Sequence, residues 1–84
     1  MYVWVLETFD REDRYCEYNG KVVAIYSEAN FKKAKKDFRK LCNGRNEGDV
    51  DSWENEKGYF FSSEKEDGDY FKASYVSLKK MEVI

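Results

Sequence analysis

Histidine is absent from this chain, which removes both the commonest general base and the commonest metal ligand. Any chemistry would have to come from carboxylates, thiols or lysines. With 17 Asp and Glu among 84 residues, close carboxylate pairs arise by chance. An acid–base pair also needs a water-excluding pocket, which so short a chain struggles to build beside its core. Asp49 and Asp51 begin like a calcium loop, but Trp53 stands where the next oxygen ligand belongs and no glycine follows it. The five glycines form no phosphate-binding loop. Cys16 and Cys42 have no metal-ligand spacing and are too few for a disulfide framework, so both are expected as free thiols, Cys42 on the apolar side of a helix. No catalytic residue, metal or cofactor is expected, and the chain reads as a non-enzyme.

What remains is charge, and it is unevenly distributed. A predicted helix from Glu28 to about Arg45 holds seven cations (Lys32, Lys33, Lys35, Lys36, Arg39, Lys40, Arg45) against Glu28 and Asp37. The stretch Glu47 to Asp69 holds nine acids against Lys57 and Lys65. That is about +5 followed by about −7 in a chain of net charge −2. A dipolar surface of this kind serves solubility or docking to a charged partner. Carboxylates in a row can imitate a phosphate backbone, and Trp53, in the midst of Glu47, Asp49, Asp51, Glu54 and Glu56, is either a lid on the core or an interface anchor. The rival surface is the basic helix, where Lys32, Lys33, Lys36, Arg39 and Lys40 could meet phosphates.

These side chains must be positioned by a small scaffold. Residues 1–84 read as one α+β domain, and the aromatic content (Tyr 7, Phe 6, Trp 2) supplies enough apolar area to fold it despite 38% charged residues. Tyr2 to Phe9 reads as a strand, nearly continuously apolar through Leu6 and so central. Asn19-Gly20 predicts a tight hairpin turn, followed by a second strand, Lys21 to Tyr26. Ser27 is the expected N-cap of the helix. Phe31, Ala34, Phe38, Leu41 and Cys42 share one helical face, and Gly44 is expected to end the helix in the left-handed conformation. Arg45 to Lys57 reads as a polar connection, Tyr59 to Ser63 as a third strand, Glu66-Asp67-Gly68-Asp69 as a turn, and Tyr70 to about Leu78, or on to Val83, as a fourth. The apolar phase of this last strand shifts between Tyr75 and Val76, which predicts a bulge. The order β-β-α-β-β predicts an antiparallel sheet of about four strands with one helix on one face. Met1 to Leu6 is too short for a signal peptide, and no stretch has the length of a membrane span, so a cytoplasmic protein is expected.

The segments Tyr2-Val-Trp-Val-Leu-Glu7 and Gly20-Lys-Val-Val-Ala-Ile-Tyr-Ser27, followed by Glu28-Ala-Asn-Phe-Lys-Lys-Ala34, resemble a group of uncharacterised small β-β-α domains of phage, prophage and bacterial genomes. In size, acidity and architecture the chain is also similar to phage-encoded inhibitors of bacterial defence, anti-CRISPR proteins among them. That resemblance implies a single non-enzymatic domain acting in the bacterial cytoplasm by binding one host protein or nucleoprotein complex. It carries no functional residue over.

The expected function is therefore a protein-binding module. Glu47, Asp49, Asp51, Trp53, Glu54 and Glu56 would contact a basic surface of a host complex and block it. The alternatives are a nucleic-acid-binding accessory protein using the Lys-rich helix, and a small-ligand sensor with a pocket between helix and sheet.

Overall fold

Alternating apolar residues and one amphipathic helix produce a five-stranded sheet with a helix across one face. The computed structural model describes residues 1–12, 17–68 and 70–83, with residues 17–19 by backbone alone. The elements are β1 (Tyr2–Glu12), β2 (Glu17–Ser27), a 3₁₀ turn (Glu28–Asn30), α1 (Phe31–Asn43), β3 (Asp49–Asn55), β4 (Gly58–Asp67) and β5 (Tyr70–Glu82). The strand order is β2-β1-β5-β4-β3, every pair antiparallel. Because β2 and β3 lie at opposite edges, α1 must carry the chain across the sheet, and its apolar stripe packs there.

The core sits between α1 and the three central strands. Leu6 stands opposite Leu78, and Val76 lies between Thr8 and Phe61. These residues, with Trp4, are buried against Ala34 and Phe38, while Phe31, Leu41 and Cys42 pack on their margin. The helical spacing read from the sequence thus marks the buried face. An aromatic cluster closes one end: Trp4 and Phe31 are 4.8 Å apart between ring centroids, and Phe31 and Tyr59 are 5.8 Å apart. Fully buried core side chains such as Leu6, Val76 and Leu78 contribute roughly 1.5–3 kcal/mol each.

Several local expectations need correction. Asn19 and Gly20 are not a turn; they lie inside β2, opposite Asp10 and Phe9. Gly20 is used instead for close approach, since a Cβ there would come within 3.2 Å of the Phe9 ring. Gly44 caps α1 in a right-handed conformation (φ −71°), its N–H donating to the Lys40 carbonyl. The glycine after the helix that is left-handed is Gly48 (φ 72°), where a Cβ would overlap the Glu64 carbonyl oxygen. Ser27 makes no side-chain cap, because the 3₁₀ turn intervenes before the α-helix. β5 runs unbroken through Tyr75 and Val76. Its phase only looked shifted because Ala73 and Tyr75 point to one face and Ser74 and Val76 to the other. The bulge lies elsewhere, between Leu6 and Glu7 on β1, with Val23 the extra residue of β2. Gly68 does take positive φ between β4 and β5, as the turn required. Cys16 and Asp69 lie outside the described residues.

The largest correction bears on function. The polar connection expected over Arg45 to Lys57 contains a fifth strand, β3, paired with β4 from Asp49 opposite Glu64 to Asn55 opposite Gly58. All seven residues of β3 are exposed, which is why no apolar alternation marks it.

Candidate functional site

Strand pleating sorts the acidic stretch into two faces. Phe61 and Tyr59 of β4 belong to the helix-covered side, so Phe60 between them points to the open side, and so does its partner Trp53. Asp49, Asp51 and Trp53 therefore share the open face of the sheet. Opposite them on β4 stand Glu64, Ser62 and Phe60. Trp53 and Phe60 stack with centroids 5.6 Å apart and planes 12° from parallel. Trp53 is 45% exposed and lies outside the helix–sheet core, which settles its position: it is a surface side chain on an edge strand.

Of the six acidic-surface residues expected from the sequence, the structure brings Asp49, Asp51 and Trp53 together. Glu54 lies on the same strand but turns to the helix side. Glu56 sits in the β3–β4 turn, and Glu47 in the connection before β3. Two participants were missed. Glu64 stands directly opposite Asp49, and Phe60 forms the other half of the stack. Phe60 was findable, because three successive aromatics in a strand cannot share a face. Glu64 was not, because its pairing depends on the β3–β4 register.

The charges around this corner are uncompensated. Among the described residues no cation pairs with Asp49, Asp51 or Glu64, whereas on the same face Lys79 meets Glu7 at 3.7 Å and neutralises the sheet's centre. The Arg45 guanidinium, in the connection between α1 and β3, is held by Asp10 through two bonds of 3.2 Å. Burial pushes the Asp10 carboxyl up, but the Arg45 and Ser74 hydrogen bonds and the Arg45 and Lys72 charges outweigh it and hold the group below its ordinary value.

The rival surface is equally well defined. Lys32, Lys33, Lys36, Arg39 and Lys40 are all exposed on α1, and Lys32, Lys36, Arg39 and Lys40 line a shallow hollow of about 380 Å³ with Phe31, Lys35 and Asn43. Lys35 is not available to it in the same way, since its ammonium sits 4.7 Å from the Tyr59 ring centroid. The helix's interior acid, Asp37, accepts a 2.6 Å hydrogen bond from the Tyr26 hydroxyl. Burial first, and then Asp37, push that phenol up to about 12. The basic surface and the Asp49–Asp51–Glu64 corner lie on opposite sides of the sheet.

Cys42 is half-buried, and burial pushes its thiol up to about 11, which leaves little thiolate at neutral pH. Among the described residues no group of three His, Cys, Asp or Glu could hold a metal ion, and no helix is long and apolar enough to cross a membrane. No family model, curated protein or solved structure was found to match the chain.

Proposed function

We propose that this protein is a non-enzymatic binding module that docks its acidic β3–β4 corner onto a cationic surface of a protein or nucleoprotein partner. The observation that carries this reading is the juxtaposition of Asp49 and Glu64 across the ladder, with Asp51 beside them and the exposed Trp53–Phe60 stack at the next positions. Like charges directly opposed in a sheet cost stability. A cationic partner would turn that cost into attraction, and an exposed Trp beside it offers an anchor for cation–π contact. In the manner that the resemblance to phage inhibitors implies, the surface blocked would be one that otherwise holds nucleic acid in a host complex.

A second reading has its own observation. Lys32, Lys36 and Lys40 recur at four-residue intervals, where like charges repel, and the one acid inside α1 is engaged by Tyr26. That stripe suits a phosphate backbone.

Anisotropy of a labelled arginine-rich peptide and of a labelled DNA duplex, at low and high salt, separates the two. Under the acidic-surface reading the peptide binds and the duplex does not. The variant Asp49→Asn, Asp51→Asn, Glu64→Gln then loses affinity and salt dependence. Duplex binding abolished by Lys32→Ala, Lys36→Ala and Lys40→Ala would instead establish the basic helix.

A further inference from the structure

We infer that the free edge of β3 accepts an extended basic segment of the partner as a sixth strand, with cationic side chains at alternate positions beside Asp49 and Asp51. The inference rests on the acidic-surface reading and adds how the partner's chain must run.

β3 ends the sheet, and among the described residues no strand pairs with its outer side. In an antiparallel ladder, half of such a strand's N–H and C=O groups point away from its neighbour and remain free to pair. Sheets usually blunt such an edge with a bulge, a proline or a lysine. β3 has none of these: its register with β4 is unbroken over seven residues, and Asp49–Asn55 contains no Pro or Lys. Its guard is negative charge alone, from Asp49, Asp51 and Glu54. That guard repels a second copy of β3 and attracts a cationic strand, so the occupant's chemistry follows from the edge itself.

The side-chain spacing specifies more. An added strand would lie about 4.8 Å from β3, and its alternate residues, roughly 6.6–6.8 Å apart, would project on the open face. Two successive positions of that set fall beside Asp49 and Asp51, and the third falls beside Trp53. Arginine suits all three, because its planar guanidinium pairs with carboxylates through two hydrogen bonds and also stacks on aromatic faces. The third guanidinium or an aromatic ring would extend the Trp53–Phe60 stack. The recognised segment is therefore Arg-x-Arg-x-Arg, or the same with an aromatic residue at the end that meets Trp53. The intervening residues turn toward the helix side, where Glu54 and Ser52 lie.

The test uses the intact protein and four labelled peptides read by anisotropy at low salt. The first alternates Arg and Thr; the second has the same composition with the arginines in one block. The third and fourth are the alternating peptide with backbone N-methyl groups on every Arg or on every Thr. Strand addition predicts that the block peptide binds about tenfold more weakly than the alternating one. It also predicts that one methylated peptide loses at least about tenfold while the other stays within about twofold, because only one set of N–H groups faces β3. Equal affinity of all four peptides would overturn strand addition while leaving the acidic surface as the docking site. Absence of binding by every peptide would overturn both.

Discussion

At one edge of the sheet β2 offers solvent the apolar side chains of Val22, Val23 and Ile25; at the other β3 offers Asp49, Asp51 and Glu54 around Trp53. Among the described residues no further strand pairs with either edge, yet the two are protected by different means. The β2 ladder is interrupted by the bulge at Val23, which twists the strand and breaks the regular spacing an incoming strand would need. β3 keeps an unbroken ladder and carries like charges instead. A bulge disfavours an added strand through its twist, whatever that strand's composition. Charge rejects only strands of the same sign. The bulge thus disfavours an added strand at the β2 edge by geometry, whereas the charge at the β3 edge disfavours copies of itself and favours cations.

This comparison requires β3 to be peripheral to stability, which the largest expected effect tests. Phe38 is buried in the core, so Phe38→Ala should cost about 3–5 kcal/mol, comparable with the whole stability of a small domain. Trp53→Ala removes a larger side chain but only an edge stack, and should cost about 1 kcal/mol or less. Paired thermal melts followed by circular dichroism measure both. A Trp53→Ala variant that melts as early as Phe38→Ala would place β3 in the cooperative core and end its description as a free docking edge.

The guards themselves can be removed. Asp49→Thr, Asp51→Thr and Glu54→Thr together would leave β3 straight, exposed, rich in β-formers and uncharged, the composition that promotes edge-to-edge pairing. Light scattering after size-exclusion chromatography should show mass rising with concentration for this variant. The corresponding change at the other edge, Val22→Thr with Ile25→Thr, should leave the mass as in the parent, because the bulge and not the side-chain chemistry governs that edge. Equal behaviour of the two variants would mean that charge is not what keeps β3 unpaired.

The difference between the edges also explains what could be read in advance. α1 was legible because Phe31, Ala34, Phe38, Leu41 and Cys42 bury one stripe, and burial is what writes periodicity into a sequence. β1 was legible as a central strand because Trp4 and Leu6 are buried on the helix side and Val5 on the other. β3 buries nothing on either face, so selection for a core left no alternation in it, and it read as a loop. Asn19-Gly20 misled because its glycine sits close against the Phe9 ring across the ladder, a long-range contact that a dipeptide rule cannot see. Of the site, the acids and Trp53 were legible as composition. Their sorting onto one face, and the opposition of Asp49 and Glu64, depended on the undetected strand and its register.

Two polar contacts tie the helix and the connection that follows it to the sheet, and they should fail at opposite ends of the pH scale. After α1, Arg45 of the connection toward β3 grips Asp10 of β1. The folded Asp10 titrates below its ordinary 3.8. Its contribution is therefore fully present above about 4 and is lost as pH falls through the lower, folded value. Asp10→Asn should cost about 1 kcal/mol near neutrality, allowing for the pair's partial exposure, and the difference from the parent should shrink toward nothing in strong acid. Urea melts at neutral pH and below pH 3.8 give both values. A constant difference across that range would show that Asp10 acts through packing rather than charge.

On the β2 side the contact is the hydrogen bond from the Tyr26 hydroxyl to Asp37 of α1. Here the folded pKa is raised, from 10.0 to about 12, by burial and by the neighbouring carboxylate. The sign is the reverse of that for Asp10: the folded state holds the proton more tightly, so the stabilisation is present below about 10 and is lost as pH rises toward 12. Ultraviolet difference titration of tyrosinate should contain a late phase near 12 that Tyr26→Phe removes. The same substitution should lower stability by only about 0.5 kcal/mol at neutral pH, since Asp37 regains water when the hydroxyl is gone. It should also leave peptide binding at the β3 edge unchanged, because Tyr26 lies at the opposite side of the sheet. Loss of peptide binding in Tyr26→Phe would mean that the two edges are coupled through α1, and the contrast between a geometrically closed edge and an electrostatically selective one would then need to be recast as a single linked surface.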